Sequence, residues 1–305
     1  MVLSSRFLVL GSRFLVLGSR FSVLGSRFLV LGSRFSVLGS RFLVLHMPDI
    51  SPVFTRYLAP LLYALALWWV STAVIILLYR LPQRTYRLSF AALTAVGLAS
   101  LYGVWLARDD TGMLGAYLGF TCGTLLWGWQ LAGFYMGFVT GPRQEPLVWH
   151  PSSFVRFGQA VHASLHHELA ALAGAVVVAA LSWDAANQTG WWTYLLLWLM
   201  HLAAKINIFL GARNFHAGLL PDHLRHLGIF FRYRPMNLFF PLSVTAAVVV
   251  ATLLARWALH PDATDFEAVA GTLLSFLALL GLLEIWLLMT PPVGAMWGER
   301  RVDVG

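Results

Sequence analysis

Seven separate stretches of about twenty apolar residues dominate this chain, and each can cross roughly 30 Å of hydrocarbon at 1.5 Å of helix rise per residue. They run over residues 58–79, 88–107, 114–138, 157–181, 191–210, 238–257 and 269–290. Such a chain belongs in a bilayer. Charged residues make up 11% of its 305 residues, against roughly a quarter in soluble proteins. The 13 Trp and 21 Phe spread over long stretches argue for a helical bundle, because an outer-membrane barrel shows short alternating segments. The expected fold is all-α, a polytopic bundle of about seven transmembrane helices. The single Cys122, inside an apolar stretch, excludes a disulfide framework and any Cys-based zinc or iron–sulfur centre.

Residues 4–45 are six copies of one heptad, S/G-S-R-F-L/S-V-L. A coiled coil is a poor reading, because Gly and Ser fall in every turn and no apolar seam with flanking charges forms. The DNA unit GTTCTCG, read through in tandem, gives V-L-G-S-R-F-S, and one T for C turns the last Ser into Leu. The expected division is therefore a 1–46 tail, translated from short-repeat DNA upstream of a true start at Met47, and one membrane domain over 47–305. The alternative is a basic amphipathic tail lying on a membrane surface. Without the tail, 15 Lys and Arg face 13 Asp and Glu. The formal charge of +8 is thus mostly tail, and no case for nucleic-acid binding survives.

Basic residues near span ends set orientation. Arg80, Arg84, Arg87, Arg143, Arg156, Arg213, Arg225, Arg232, Arg234, Arg300 and Arg301 fall on one side, and Arg56, Arg108 and Arg256 on the other. Eleven against three puts residue 47 outside and Gly305 in the cytoplasm, as an odd number of spans requires.

Few polar side chains fall within the spans: Gln130, His162, His166, His167, Glu168, His201, Lys205, Asn207 and Glu284. A charge near a helix centre costs about 2.5–3.5 kcal/mol on insertion scales, so each demands a partner or a function. All nine fall in the half of their span nearer the cytoplasm. At 100° per residue His162 and His166 share a stripe, as do His201 and Lys205, while Glu168 points elsewhere. The fourth span therefore presents polar groups to more than one neighbour, and its small residues Ala170, Ala171, Ala173 and Gly174 place it at the bundle centre.

Three readings of this cluster stand. In the structural one, Lys205 is neutralised by Glu168 or Glu284, and the histidines bond to Gln130, Asn207 or backbone. In the second, His166, His167 and His162, with Gln130, hold a pigment or haem, since a neutral imidazole is an ordinary axial ligand of a tetrapyrrole metal. In the third, His162, His166, His167, His201, His216, His223 and His226 supply nitrogen ligands to a membrane di-metal oxidase or hydroxylase acting on pigment or lipid. The 211–237 loop adds an expected interfacial helix near 221–232, starting at Pro221-Asp222, with Arg225, Arg232 and Arg234 toward lipid phosphate.

Several ordered motifs carry a resemblance. They are the run from Trp127 to Arg143, WGWQLAGFYMGFVTGPR; His166-His-Glu-Leu-Ala170; the run from Leu197 to Gly211, LWLMHLAAKINIFLG; Asn214; Leu220-Pro-Asp-His-Leu224; and the run from Arg234 to Pro241, RPMNLFFP. Together they resemble the photosynthetic complex assembly protein family PuhE of purple bacteria, over most of 50–295. The resemblance implies a multi-pass protein of the bacterial inner membrane. It would support bacteriochlorophyll supply to, or assembly of, the reaction centre and light-harvesting 1 complex. It implies no established catalytic residues. The expected function is that of an assembly factor acting by binding, with bacteriochlorophyll or a precursor as ligand and reaction-centre or light-harvesting polypeptides as partners.

Overall fold

The computed structural model describes residues 8–10, 15–17, 21–24, 29–31, 35–38, 43–44, 50–141, 153–215 and 220–290. Met47, Arg143, His216, Arg300 and Arg301 lie outside the described residues. The chain divides into two units, Met1–Leu58 and Ala59–Gly305. In the first, the heptads form six strands of two to four residues. Leu8 pairs parallel with Ser22, and Leu15 with Leu29, so each strand meets the copy two repeats later and equivalent positions stack. Val flanked by apolar residues favours the extended chain.

The second unit is all-α, as expected, and carries seven long helices: α1 (Ala59–Arg80), α2 (Tyr86–Ala107), α3 (Met113–Tyr135), α4 (Ser153–Leu181), α5 (Thr189–Leu210), α6 (Phe239–Ala258) and α7 (Asp265–Met289). Six are long and apolar enough to cross a membrane, all but α3. This is a multi-pass membrane protein. Five glycines, two tryptophans and two tyrosines lower the hydropathy of α3. The predicted bounds agree to within a few residues. One difference is the start of α7, four residues earlier than hydropathy suggests. There Thr264 Oγ1 accepts from the Glu267 N–H at 3.2 Å, and the Glu267 carboxylate accepts from the Thr264 N–H at 2.8 Å, a capping box that starts a helix on polar residues.

The bundle centre is α3, not α4 as expected. Helix α3 packs against α1, α2, α4, α5 and α7. Its Gly115, Gly119 and Gly123 repeat every fourth residue and let backbones approach, the usual route to association where apolar burial gives no drive between helices. A Cβ on Gly123 would stand 2.5 Å from the Gly190 carbonyl oxygen of α5. The small residues of α4 serve a narrower purpose. A Cβ on Gly174 would meet the Tyr194 hydroxyl at 2.5 Å, and Ala171 and Ala175 are buried while Leu172 and Val176 are exposed. Helix α4 is thus an outer helix with one packed face.

Each connected helix reverses direction, so the 3₁₀ turn Gln83–Thr85, the end of α3, the start of α4, the end of α5 and the end of α7 share the arginine-rich end of the bundle. The stretch expected to hold an interfacial helix carries a nine-residue 3₁₀ helix, Asp222–Phe230. Its three-residue period puts Leu224, Leu227 and Phe230 on one buried stripe, packed with Phe134, Ala163 and Leu220. Protein therefore covers its apolar face, while Arg225 pairs with Asp222 at 2.9 Å on the exposed side.

Candidate functional site

The nine polar residues of the spans resolve into five separate places. The first is the contact between α4 and α5. Tyr194, Trp198, His201 and Lys205 follow one another at spacings of four, three and four, which puts all four on one face of α5. The Lys205 ammonium donates to Glu168 Oε1 at 2.6 Å, Trp198 Nε1 donates to Glu168 Oε2 at 3.3 Å, and the Tyr194 hydroxyl donates to the Ala171 carbonyl at 3.0 Å. Lys205 also stands 4.8 Å above the Phe134 ring, an added cation–π attraction. Both charges are thus answered inside the protein, which is what makes them tolerable there. Gln130 of α3 joins this place by donating to the Ala170 carbonyl at 2.8 Å.

The second place is an aromatic cage around His167. This ring is fully buried, against Phe134 at 4.7 Å, His201 at 5.8 Å and Trp127 at 6.3 Å between centroids. Among the described residues, neither of its nitrogens, nor Nε2 of His201, has a hydrogen-bond partner. His167 meets the bundle through its backbone as well, donating to the Thr140 carbonyl at 2.9 Å. A ring so enclosed has no face left for a macrocycle.

His162 and His166 form the third place, and they are exposed on the outer face of α4. With Leu169, Leu172 and Val176 they make a continuous outward stripe. His166 is fifteen residues, or about 22 Å of helix, from the far end of α4 at Leu181. It therefore presents an imidazole outward near the middle of α4. Of the pigment candidates, the structure separates His166 and His162 from His167 and Gln130, which point inward.

Asn207 and Glu284, expected with the charge pair, lie elsewhere. Asn207 Nδ2 donates to Ser243 Oγ at 3.1 Å, and Asn237 Nδ2 reaches Asn207 Oδ1 at 3.1 Å and the Gly211 carbonyl at 2.8 Å. Asn237 Oδ1 accepts from the Phe239 and Phe240 N–H groups, both at 2.9 Å. Asn237 thereby satisfies the free N–H groups that begin α6. This knot is structural, and the Arg234-Pro-Met-Asn237 motif was its signal.

Glu284 is the fifth place. It lines a cavity of about 940 Å³ bounded by α1, α3, α5 and α7, which runs from Trp68 and Leu277 to Arg80 and Asp222 at the arginine-rich end. Its carboxylate is exposed into that space, and no ion pair or hydrogen bond reaches it among the described residues. Tyr79 and Tyr135 stack beside it, centroids 5.4 Å apart, and Trp127 and His201 form another wall. Sequence reasoning missed Tyr79 and Tyr135, whose only signal was a tyrosine near the end of each of two spans.

At the cavity mouth, Gly137 adopts φ +81° and a Cβ there would stand 3.0 Å from the His223 ring. Burial, and secondarily His226, lowers the pKa of His223 below its usual value, against the Tyr135 carbonyl and Asp222. Among the described residues no three His, Cys, Asp or Glu side chains come together. The described histidines of the di-metal reading fall instead on the outer face of α4, in the inner cage and at the mouth.

The family model described as "Protein of unknown function (DUF3623)" matches residues 54–300, and the chain belongs to this family. It is similar to a Rhodobacter capsulatus protein described as an uncharacterized 30.4 kDa protein in the puhA 5' region, 31% identical over 235 residues, which cover 75% of this chain and 85% of that protein. No solved structure matches the chain.

Proposed function

We propose that this member of the DUF3623 family is an inner-membrane assembly factor for the photosynthetic reaction centre and light-harvesting 1 complex, acting by binding. It holds bacteriochlorophyll or a precursor on the outer face of α4 and passes it to nascent pigment-binding polypeptides. The relative from the puhA 5' region supports the setting, as does the resemblance to the PuhE family. The observation that carries the reading is the outward imidazole of His166. An ionisable group within a span normally faces the interior, so one that faces lipid needs an outside partner. A neutral imidazole supplies an axial ligand to a tetrapyrrole metal, and the outer stripe leaves room for a flat macrocycle beside it.

In this reading the arginine-rich end is cytoplasmic, and pigment arrives in that leaflet. A reporter active only in the periplasm is silent when fused after Arg301 and active within the 182–188 loop; the opposite pattern at both positions reverses the orientation. The pigment reading is tested by His166→Leu. The variant is expected at normal abundance in the membrane, with co-purifying pigment and photosynthetic complex yield both reduced. Normal photosynthetic growth and complex yield in that strain would sink it.

A further inference from the structure

A second binding feature stands apart from the pigment reading, which concerns His166. Glu284 is a carboxylate inside a membrane-spanning bundle, about five residues or ~8 Å from the end of α7, with no cationic partner among the described residues. The contrast is with Glu168, whose charge is met by Lys205 at 2.6 Å. A lone carboxylate in a low-dielectric site either takes up a proton or finds a cation. Around this one the walls are aromatic: Tyr79 and Tyr135 are stacked, and Trp127 lines the same space. Aromatic faces beside a carboxylate are the chemistry that recognises organic ammonium ions. Ile75, Leu131 and Leu277 form an apolar stretch of the wall, Ser71 and Thr124 add hydroxyls, and Arg80 stands at the arginine-rich end; a volume of about 940 Å³ far exceeds what a bare metal ion needs.

We propose that this cavity binds an amphiphile with an ammonium head, the head against Glu284 beside the stacked tyrosines and the alkyl chain along the apolar stretch of the wall. The carboxylate supplies the charge, the rings supply the shape and the chain supplies the affinity for the cavity. Water is displaced from both.

Bromine quenching of tryptophan tests this in the full chain, since Trp68 and Trp127 line the cavity. The protein in maltoside micelles is titrated with 12-bromododecyl-trimethylammonium and, separately, with 12-bromododecanol, which has the same chain and no charge. Saturable quenching is expected at about tenfold or more lower concentration for the ammonium compound. Glu284→Gln removes that preference and leaves quenching by the alcohol unchanged, whereas Glu284→Asp, which keeps the charge, retains it. Equal quenching by the two compounds in the unaltered protein would overturn the proposal. So would a preference that survives in Glu284→Gln, or one that is lost in a folded Glu284→Asp. His166→Leu retains the preference, so this proposal and the pigment reading fail separately.

Discussion

Removing Lys205 should unfold this protein far more readily than removing Lys205 and Glu168 together. At 2.6 Å the gross attraction is about 6 kcal/mol at an effective dielectric constant of 20, and most of it is offset by the desolvation of both ions. Breaking one side of a fully buried pair costs about 3–5 kcal/mol. Here the side chains keep 25% and 23% of their surface, so partial solvation lowers the expected cost of Lys205→Met to about 2–3 kcal/mol. The remaining carboxylate would keep only Trp198 Nε1 at 3.3 Å. In Lys205→Met with Glu168→Gln no charge is left behind, and Gln still accepts from Trp198; a total cost under about 1 kcal/mol is expected. Unfolding in mixed micelles of maltoside and dodecyl sulfate, followed by tryptophan fluorescence, gives the three free energies of the cycle. A double variant as unstable as the two single costs added together would show that the ions do not act as a pair.

Three further outcomes follow from the packing and from the mouth of the cavity. Gly123→Ala should cost about 2–3 kcal/mol, because its methyl meets the Gly190 backbone oxygen at 2.5 Å and Thr193 Cβ at 2.8 Å, whereas Gly128→Ala, 3.8 Å from Ile75, should be nearly neutral in the same assay. Asn237→Ala should cost about 2–4 kcal/mol and loosen the start of α6, since it orphans buried groups on Asn207 and Gly211 and half-buried N–H groups of Phe239 and Phe240; hydrogen exchange at residues 239–243 reads the loosening. For His223 the folded protein favours the neutral ring, so the unfolded chain binds its proton first. Stability from this residue is present above pH 6.5 and falls as pH drops below it. His223→Gln should flatten the melting-temperature profile between pH 6.5 and 5, and an unchanged slope would refute the assignment.

The seven helices were legible because hydropathy alone sets span length, and the bilayer leaves the backbone few other choices. Which helix stands at the centre was not. Small residues mark close approach but not with whom, and α4 has them for one tyrosine of α5 while α3 has them for whole helices. The signal was the fourfold spacing of Gly115, Gly119 and Gly123, more regular than the alanines of α4. Polarity was legible residue by residue, but the partner of each group was not. Helical angles correctly put Lys205 and His201 on one stripe, yet could not choose between Glu168 and Glu284. That choice depends on the relative rotation of α4 and α7 about the bundle, a tertiary quantity absent from local spacing.

His166 and His167 show how much turns on that rotation. They are adjacent and 100° apart on α4, and one faces outward while the other is fully enclosed with both ring nitrogens unbonded. The two substitutions to leucine should therefore part company. At position 167, leucine is similar in volume and removes two polar atoms that lack partners, so it should leave stability unchanged or raise it by about 1 kcal/mol. Its contacts with Phe134 and Trp127 are apolar and suit leucine equally. At position 166, leucine faces lipid and should be neutral for folding, with its whole effect on what the outer face binds. Unfolding free energy and co-purifying pigment, measured on both variants, separate the two roles. A loss above about 2 kcal/mol in His167→Leu would mean that its imidazole is bonded in the folded protein and that the cage is polar rather than a packing site.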